Sequence, residues 1–166
     1  MDKLNLQKLE KLNNQYVVKR IEETIELCKP AKVTVMTDAK RDIAYLRNLV
    51  INNGEEKKLK MEGHTIHFDG YYDQGRDRQY TKYLLSQDVD WGLGVNSIEK
   101  KKGLKEICSF LDGSMAGKEM IVKFFSLGPC NSIFSLKALQ ITDSAYVAHS
   151  EDLLYRQGYE EFKKLN

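Results

Sequence analysis

The sequence predicts one compact domain of the α+β or α/β class, with a mixed β-sheet flanked by helices. Apolar residues recur at three- and four-residue spacing in some segments and alternate with polar residues in others, and these patterns indicate helices and strands respectively. The length of 166 residues is that of one ordinary domain. No internal repeat, low-complexity segment or linker divides the chain, so we expect residues 1–166 to form a single unit.

The first third of the chain predicts two helices around one strand. Residues 4–28 have the spacing of an amphipathic helix that Pro30 would end. Its apolar positions are Leu9, Leu12, Tyr16, Val17, Ile21, Ile25 and Cys28. The β-branched run at 32–36 predicts a strand. Asp38 is typical of an N-cap and predicts a second helix from there to about Asn53.

The remainder of the chain predicts strands and helices in turn. Predicted strands cover residues 64–68, 80–85, 119–127 and 134–142. A helix is predicted over 97–111. Another is predicted between a cap at Asp143 or Ser144 and a stop at Gly158.

Composition and charge point away from membranes and nucleic acids. An apolar fraction of 42% and a charged fraction of 30% are typical of a soluble globular domain. No apolar run approaches the roughly 20 residues that cross a bilayer. The formal charge of +2 is nearly balanced, and acids are mixed into each basic run, whereas nucleic-acid modules show a basic stripe. The N-terminal residues lack the apolar core of a secretory signal, so we expect a cytoplasmic protein.

The three cysteines predict neither a disulfide framework nor a zinc site. Cys28, Cys108 and Cys130 are odd in number, far apart, and include no Cys-x-x-Cys pair. We expect at least the first two to be small buried hydrophobic residues.

Three motifs resemble active-site signatures and are rejected on chemical grounds. Residues 113–120 have one residue too few between their glycines for a phosphate-binding loop, and Glu119 stands where a hydroxyl is required. His64, His67 and Asp69 suggest a metal site, but residues three apart on a strand face opposite ways, and His149 lies far off in the sequence. Cys130 and Ser132 have no neighbouring base to activate them as nucleophiles.

An ordered series of motifs runs through residues 113–158. It comprises a Met-x-Gly-Lys turn, an aromatic-rich strand that ends in Gly-Pro, and a Thr-Asp-Ser-x-Tyr-Val segment that opens a helix. In this series the chain resembles the N-terminal domain of GTP-dependent phosphoenolpyruvate carboxykinases. The matching positions are Met115, Gly117, Lys118, Phe124, Gly128, Pro129, Ser132, Thr142, Asp143, Ser144, Tyr146 and Val147.

The resemblance extends upstream, in a form similar to the archaeal branch of the family. It includes the segments 14–17, 27–30 and 33–38. The family also carries an Asp-x-(Ala/Gly)-Arg turn followed five residues later by Thr, which Asp73, Gly75, Arg76 and Thr81 match. The resemblance implies that Arg76 contacts the substrate carboxylate.

The chemistry of Arg76 agrees with that role. A guanidinium is a rigid two-pronged donor that suits a small planar carboxylate and stays charged, and Gly75 allows a close backbone approach. Asp73, Gly75, Asp77 and Arg78 are the candidates to support Arg76. Arg78 stands where many family members have a Glu that touches a mobile lid. The alternative is a surface ion pair between Arg76 and Asp73 or Asp77.

The resemblance implies an enzyme that converts oxaloacetate and GTP to phosphoenolpyruvate, GDP and carbon dioxide in gluconeogenesis. In the family, GTP and Mn²⁺ or Mg²⁺ bind to a C-terminal domain that has no counterpart in this sequence. We therefore expect neither catalytic nor metal-binding residues here, and no activity from this chain alone. Its partners would be oxaloacetate or phosphoenolpyruvate and the enzyme's own C-terminal domain.

Two other functions stay open at the level of sequence. A stand-alone anion-binding or regulatory module would keep Arg76 and need no second domain. A nucleic-acid-binding domain would lose affinity steeply as salt is added, because phosphate contacts release counterions.

Overall fold

The computed structural model describes residues 1–71, 80–86 and 96–165. The helices are α1 (Lys3–Glu10), α2 (Gln15–Cys28), α3 (Lys40–Asn52), α4 (Lys100–Leu111), α5 (Ala145–Leu154) and α6 (Tyr159–Phe162). The strands are β1 (Lys32–Val35), β2 (Lys57–Lys58), β3 (Thr65–Ile66), β4 (Tyr83–Leu85), β5 (Ser97–Glu99), β6 (Glu119–Leu127), β7 (Leu136–Thr142) and β8 (Arg156–Gln157).

The main sheet is mixed, and β6 is its central strand. β7 runs antiparallel to one side of β6 between Ile121 and Leu127. On the other side, β1 pairs in parallel with the first half of β6, and β8 pairs antiparallel with Phe125 and Ser126. Two further pairs form small sheets, β2 with β3 antiparallel and β4 with β5 parallel. The predicted α+β domain with a mixed sheet is confirmed.

Both faces of β6 are buried, and each belongs to a different hydrophobic cluster. The larger cluster joins α1, α2 and α6 to one face through Met120, Val122 and Phe124. The smaller cluster joins α3 and α5 to the other face through Ile121. This double burial explains the nearly continuous apolar run at 120–125, because a strand covered on one face alone would alternate.

Lys123 interrupts that run and is nevertheless buried. Its side chain is 2% exposed and forms an ion pair with Asp152 of α5. Its ammonium also donates to the carbonyl of Ala148 at 3.3 Å. Burial lowers the pKa of Lys123 in spite of the opposing effect of the Asp152 carboxylate. The pair therefore fixes α5 to the sheet in one register, since a buried charge left without its partner is strongly unfavourable.

The single helix predicted over 4–28 is wrong: α1 and α2 are separate. Asn13 adopts a left-handed backbone with φ +48°, which asparagine tolerates better than most residues. Asn14 then caps α2, its side chain accepting from the amide of Val17 at 3.1 Å. Beyond the break the helical phase changes, so Tyr16 is 88% exposed instead of belonging to the apolar face.

Asp38 is a helix cap, but not of the predicted helix. α3 begins after Ala39, which provides no side-chain cap. The carboxylate of Asp38 instead accepts from the amides of Tyr159 and Glu160 at the start of α6, both at 3.0 Å. A sequence pattern cannot identify such a cap, because the capped helix lies at the far end of the chain.

Several other boundaries differ from the prediction. Residues 97–99 form β5 rather than helix, because the Glu99 side chain caps α4 by accepting from the amides of Lys101 and Lys102. The strands predicted at 64–68 and 80–85 shrink to β3 and β4, which pair with β2 and β5. Cys28 is buried as predicted, but the same prediction for Cys108 is wrong, because Cys108 lies on α4, whose residues other than Gly103 are exposed.

Gly158 begins α6 rather than ending α5. α5 ends at Leu154 and is followed by β8, after which the Gly158 amide donates to the carbonyl of Phe124 at 2.9 Å. A Cβ at position 158 would lie 2.4 Å from the carbonyl carbon of Phe125. The backbone conformation there is ordinary, so close contact is what requires glycine.

We expect Gly158→Ala to lower the free energy of unfolding by about 2–3 kcal/mol or more, because the added methyl meets backbone atoms that cannot rotate away. Gly103→Ala is the matched control, since its Cβ would meet side-chain atoms of Leu84 and Ile98 rather than backbone atoms. Urea unfolding of both variants measures the difference. Equal losses would show that backbone contact at Gly158 is not limiting.

Candidate functional site

The residues predicted to bind substrate lie outside the described part of the chain. They are Asp73, Gly75, Arg76, Asp77 and Arg78, all within 72–79. Their roles stay predictions. The structure describes how the chain reaches this segment after His67 and leaves it through Thr81.

The side chain of His67 anchors the described chain that leads towards residues 72–79. Its Nδ1 lies 2.6 Å from the carbonyl oxygen of Glu55, which can only accept, so Nδ1 donates. Its Nε2 lies 3.3 Å from Oδ1 of Asp69. The ring stacks on Tyr146, with centroids 3.5 Å apart and planes inclined by 14°. The approach to the segment is thereby attached to the Thr-Asp-Ser-x-Tyr-Val motif, which lies far from it in the sequence.

Glu55 strengthens that attachment by binding the first turn of α5. Its carboxylate accepts from the Ser144 hydroxyl at 2.6 Å and from the amides of Ala145 at 3.2 Å and Tyr146 at 2.8 Å. Burial raises the pKa of Glu55, but these hydrogen bonds outweigh it and hold the pKa below its ordinary value. The unsatisfied amides at a helix N-terminus favour a carboxylate at this position.

Glu56 and His149 form a second, fully buried pair beside the first. Nδ1 of His149 lies 2.7 Å from Oε1 of Glu56. Burial opposes ionisation of Glu56, but hydrogen bonds from Thr65 and His149 lower its pKa overall. Sequence reasoning missed both glutamates because they open a run of lysines and were assigned to the solvated surface. Their position directly after the predicted end of α3 was the available signal.

Asn96 organises the chain where it leaves the segment. Its side-chain amide donates to the carbonyl of Thr81 at 3.0 Å, and its own carbonyl accepts from the amide of Tyr83 at 2.9 Å. These bonds align β4 with β5. Thr81, a residue of the resemblance, therefore lies two residues before the paired strand β4.

The Met-x-Gly-Lys turn and the Thr-Asp-Ser segment meet at one end of the sheet. Because β7 is antiparallel to β6, Thr142 lies opposite Ile121, and Lys118 forms an ion pair with Asp143. Gly117 makes this turn with φ +76°, a conformation that glycine adopts readily. Lys118 and Asp143 line a cavity of about 260 Å³.

The three motifs rejected from the sequence lie within the described part of the chain. Residues 113–118 connect helix α4 to strand β6, which is the order opposite to that of a phosphate-binding loop. Ser132 Oγ accepts from the amide of Phe134 at 3.2 Å. Within residues 1–71, 80–86 and 96–165, no group of three His, Cys, Asp or Glu side chains could hold a metal ion.

The arrangement is that of a helix-flanked α+β domain in which separate motif segments meet around the ends of β6 and the start of α5. The chain belongs to the phosphoenolpyruvate carboxykinase N-terminal domain family, whose model matches residues 19–166.

Several curated proteins are similar to this chain over most of its length. The chain is 49% identical over 165 residues to a phosphoenolpyruvate carboxykinase [GTP] from Thermococcus sibiricus, covering 99% of this chain and 26% of that protein. It is 51% identical over 159 residues to one from Pyrococcus abyssi, covering 96% and 26% respectively. It is 28% identical over 148 residues to one from Chlamydia abortus, covering 87% and 24%. The chain thus spans about a quarter of the length of the curated relatives that it matches.

In the part of the chain that the structure describes, no helix is both long enough and apolar enough to span a membrane.

We expect the contribution of Glu55 to stability to depend on pH. Because its folded pKa lies below the ordinary value of 4.5, its stabilising effect is complete above that value and is lost as the pH falls through the folded pKa. The difference in unfolding free energy between the wild type and Glu55→Gln should therefore shrink on acidification. Urea titrations across that range measure it.

Glu22→Gln, on the exposed face of α2, is the matched control and should give a difference that changes little with pH. A constant difference for Glu55→Gln as well would contradict the assigned role of the Glu55 carboxylate.

Proposed function

We propose that this chain is the substrate-binding N-terminal part of a GTP-dependent phosphoenolpyruvate carboxykinase. The single observation that carries the proposal is the match to full-length relatives of that name over nearly the whole chain, at 49% identity in the Thermococcus sibiricus protein. On this proposal, residues 1–166 are one domain, and a nucleotide- and metal-binding domain follows it in the complete enzyme.

Arg76 is the residue that we propose contacts the substrate. Oxaloacetate and phosphoenolpyruvate are small anions with planar carboxylates, and a guanidinium can donate two parallel hydrogen bonds to such a group. Asp73, Gly75, Asp77 and Arg78 would shape the turn around it. The contacts of His67 with Glu55 and Tyr146 support this role, because they fix the chain shortly before the turn.

The complete enzyme would break the bond between C3 of oxaloacetate and its terminal carboxylate, which leaves as carbon dioxide. The electron pair forms an enolate, whose oxygen attacks the γ-phosphorus of GTP while the bond to the β-phosphate oxygen breaks, giving GDP. A divalent cation, Mn²⁺ or Mg²⁺, would supply charge neutralisation for both steps. On this proposal, cation and GTP bind to the domain that follows residue 166 in the complete enzyme.

Several consequences belong to the same proposal. The chain by itself would be inactive, since it would form one wall of the substrate cleft and lack the groups that hold GTP. The complete enzyme would be a cytoplasmic carboxy-lyase of gluconeogenesis. Its partners would be oxaloacetate or phosphoenolpyruvate and its own C-terminal domain, with neither nucleic acid nor membrane among them.

We expect Arg76→Lys in the complete enzyme to weaken oxaloacetate binding and slow decarboxylation together. Lysine keeps the charge but loses the two-pronged geometry, so kcat/KM should fall on the order of tenfold to a hundredfold. Steady-state kinetics with oxaloacetate and GTP measure the change. The experiment uses this chain joined to the C-terminal portion of the Thermococcus sibiricus relative if the source gene does not supply one.

Arg20→Lys is the matched control, because Arg20 lies exposed on α2 and its described ion pair, with Glu23, is at the surface. It should leave the kinetic constants unchanged. Unchanged turnover and oxaloacetate affinity in Arg76→Lys would refute the assignment of Arg76, and an inactive joined protein that binds no oxaloacetate would refute the proposed function.

A further inference from the structure

Within the described residues, strand β7 lies at an edge of the main sheet. Among the described strands it pairs only with β6, so every second backbone amide and carbonyl along residues 136–142 points away from the sheet. Such an edge is a template for another strand.

The edge has few of the features that usually prevent another strand from adding to it. Native edges are protected by proline, by bulges or by charged side chains. Residues 136–142 contain no proline, and their single charge is Lys137. The ammonium of Lys137 is turned back onto the chain itself, 2.6 Å from the Ser135 hydroxyl and 3.6 Å from the Glu161 carboxylate.

Each face of β7 carries a side chain that is either partly exposed or lacks a hydrogen bond. On one face, Leu139 and Ile141 pack against the larger hydrophobic cluster but stay partly exposed. On the other face, Oε1 of Gln140 is buried and accepts no hydrogen bond from the described residues. A neighbouring strand would cover the first two and could carry a donor for the third.

The loop before β7 and the first residue of the strand carry exposed apolar side chains. Ile133 and Phe134 in the loop are 93% and 82% exposed, and Leu136 at the start of β7 is 68% exposed. Large apolar side chains exposed this close together in the sequence are typical of a surface that another segment covers.

The last helix of the chain ends beside this loop. The amide of Asn131 donates to Glu161 at 3.3 Å, and the Lys164 ammonium donates to the Asn131 side chain at 2.7 Å. Lys137, at the start of β7, faces the same Glu161 carboxylate. Polypeptide that continues after α6 would therefore leave the domain next to the start of β7 and the exposed loop.

We propose that in the complete enzyme the polypeptide following residue 166 adds a strand to β7 and covers Ile133, Phe134 and Leu136. The inference rests on the proposed function, in which this chain is the first quarter of a longer protein, as it is in its relatives. β7 and these exposed apolar side chains would then form the contact between this chain and the rest of the enzyme.

Hydrogen exchange of the β7 amides tests the proposal. It compares the 166-residue chain with the same chain joined to the polypeptide that follows the matched region in the Thermococcus sibiricus relative. We expect the outward-pointing amides of 136–142 to exchange on the order of 100-fold more slowly in the joined protein, because paired strand amides open only with their element. Equal exchange in the two proteins would overturn the proposal.

Two other outcomes would also overturn it. Protection of these amides in the 166-residue chain at all concentrations would mean that this chain covers its own edge. Protection that rises with concentration, together with a dimer in sedimentation, would mean that the occupant is a second copy.

Surface variants provide an independent readout. Phe134→Asp and Leu136→Asp should lower Tm in the joined protein and leave the 166-residue chain unchanged, because both side chains are exposed there. Tyr16→Asp is the matched control on α2 and should change neither protein. Equal shifts in the two proteins, or none in either, would contradict the proposal.

The failure of this inference can be told from failure of the proposed function. A joined protein with carboxykinase activity but freely exchanging β7 amides would refute the proposed strand pairing at β7 alone. A joined protein with protected β7 amides but neither activity nor oxaloacetate binding would refute the function alone.

Discussion

Burial of β6 on both faces is the constraint on which the rest of the structure depends. Because neither face meets water, helices must cover both, and every other strand of the main sheet pairs with β6 itself. The only charge in the interior of the strand, Lys123, then needs a counter-charge, which Asp152 supplies from α5. One strand thus determines where β1, β7, β8 and α5 lie.

The charged contacts around Glu55 and Glu56 connect this core to the chain that carries Arg76. The carboxylate of Glu55 binds the first turn of α5, and its backbone carbonyl accepts a hydrogen bond from the His67 ring. Glu56 pairs with His149 one turn further along the same helix. Since α5 is itself fixed to β6, the segment after His67 begins from a rigid part of the domain. Such an anchor matters for the proposed role of Arg76, because a binding group has to be held precisely.

The sequence was sufficient for features that depend on local pattern. The bounds of β6 follow from a β-branched and aromatic run between a turn and Gly-Pro, and the family follows from ordered motifs in residues 113–158. It was insufficient where the contacts of a residue depend on a partner that lies far away in the sequence. Asp38 is a cap of α6, and Glu55 and Glu56 are buried by α5, contacts that span most of the chain. Arg76 and its neighbours lie outside the described residues, so their roles stay predictions.

The cap that Asp38 places on α6 has a consequence for biosynthesis. The carboxylate belongs to the first quarter of the chain to leave the ribosome, whereas the amides of Tyr159 and Glu160 that it binds are made about 120 residues later. β1 likewise has no strand to pair with until β6 has been synthesised. The nascent chain can form α1, α2 and α3 early, but it cannot close the domain until the segment around Glu160 has emerged. The early helices must stay apart from other exposed apolar surfaces until then.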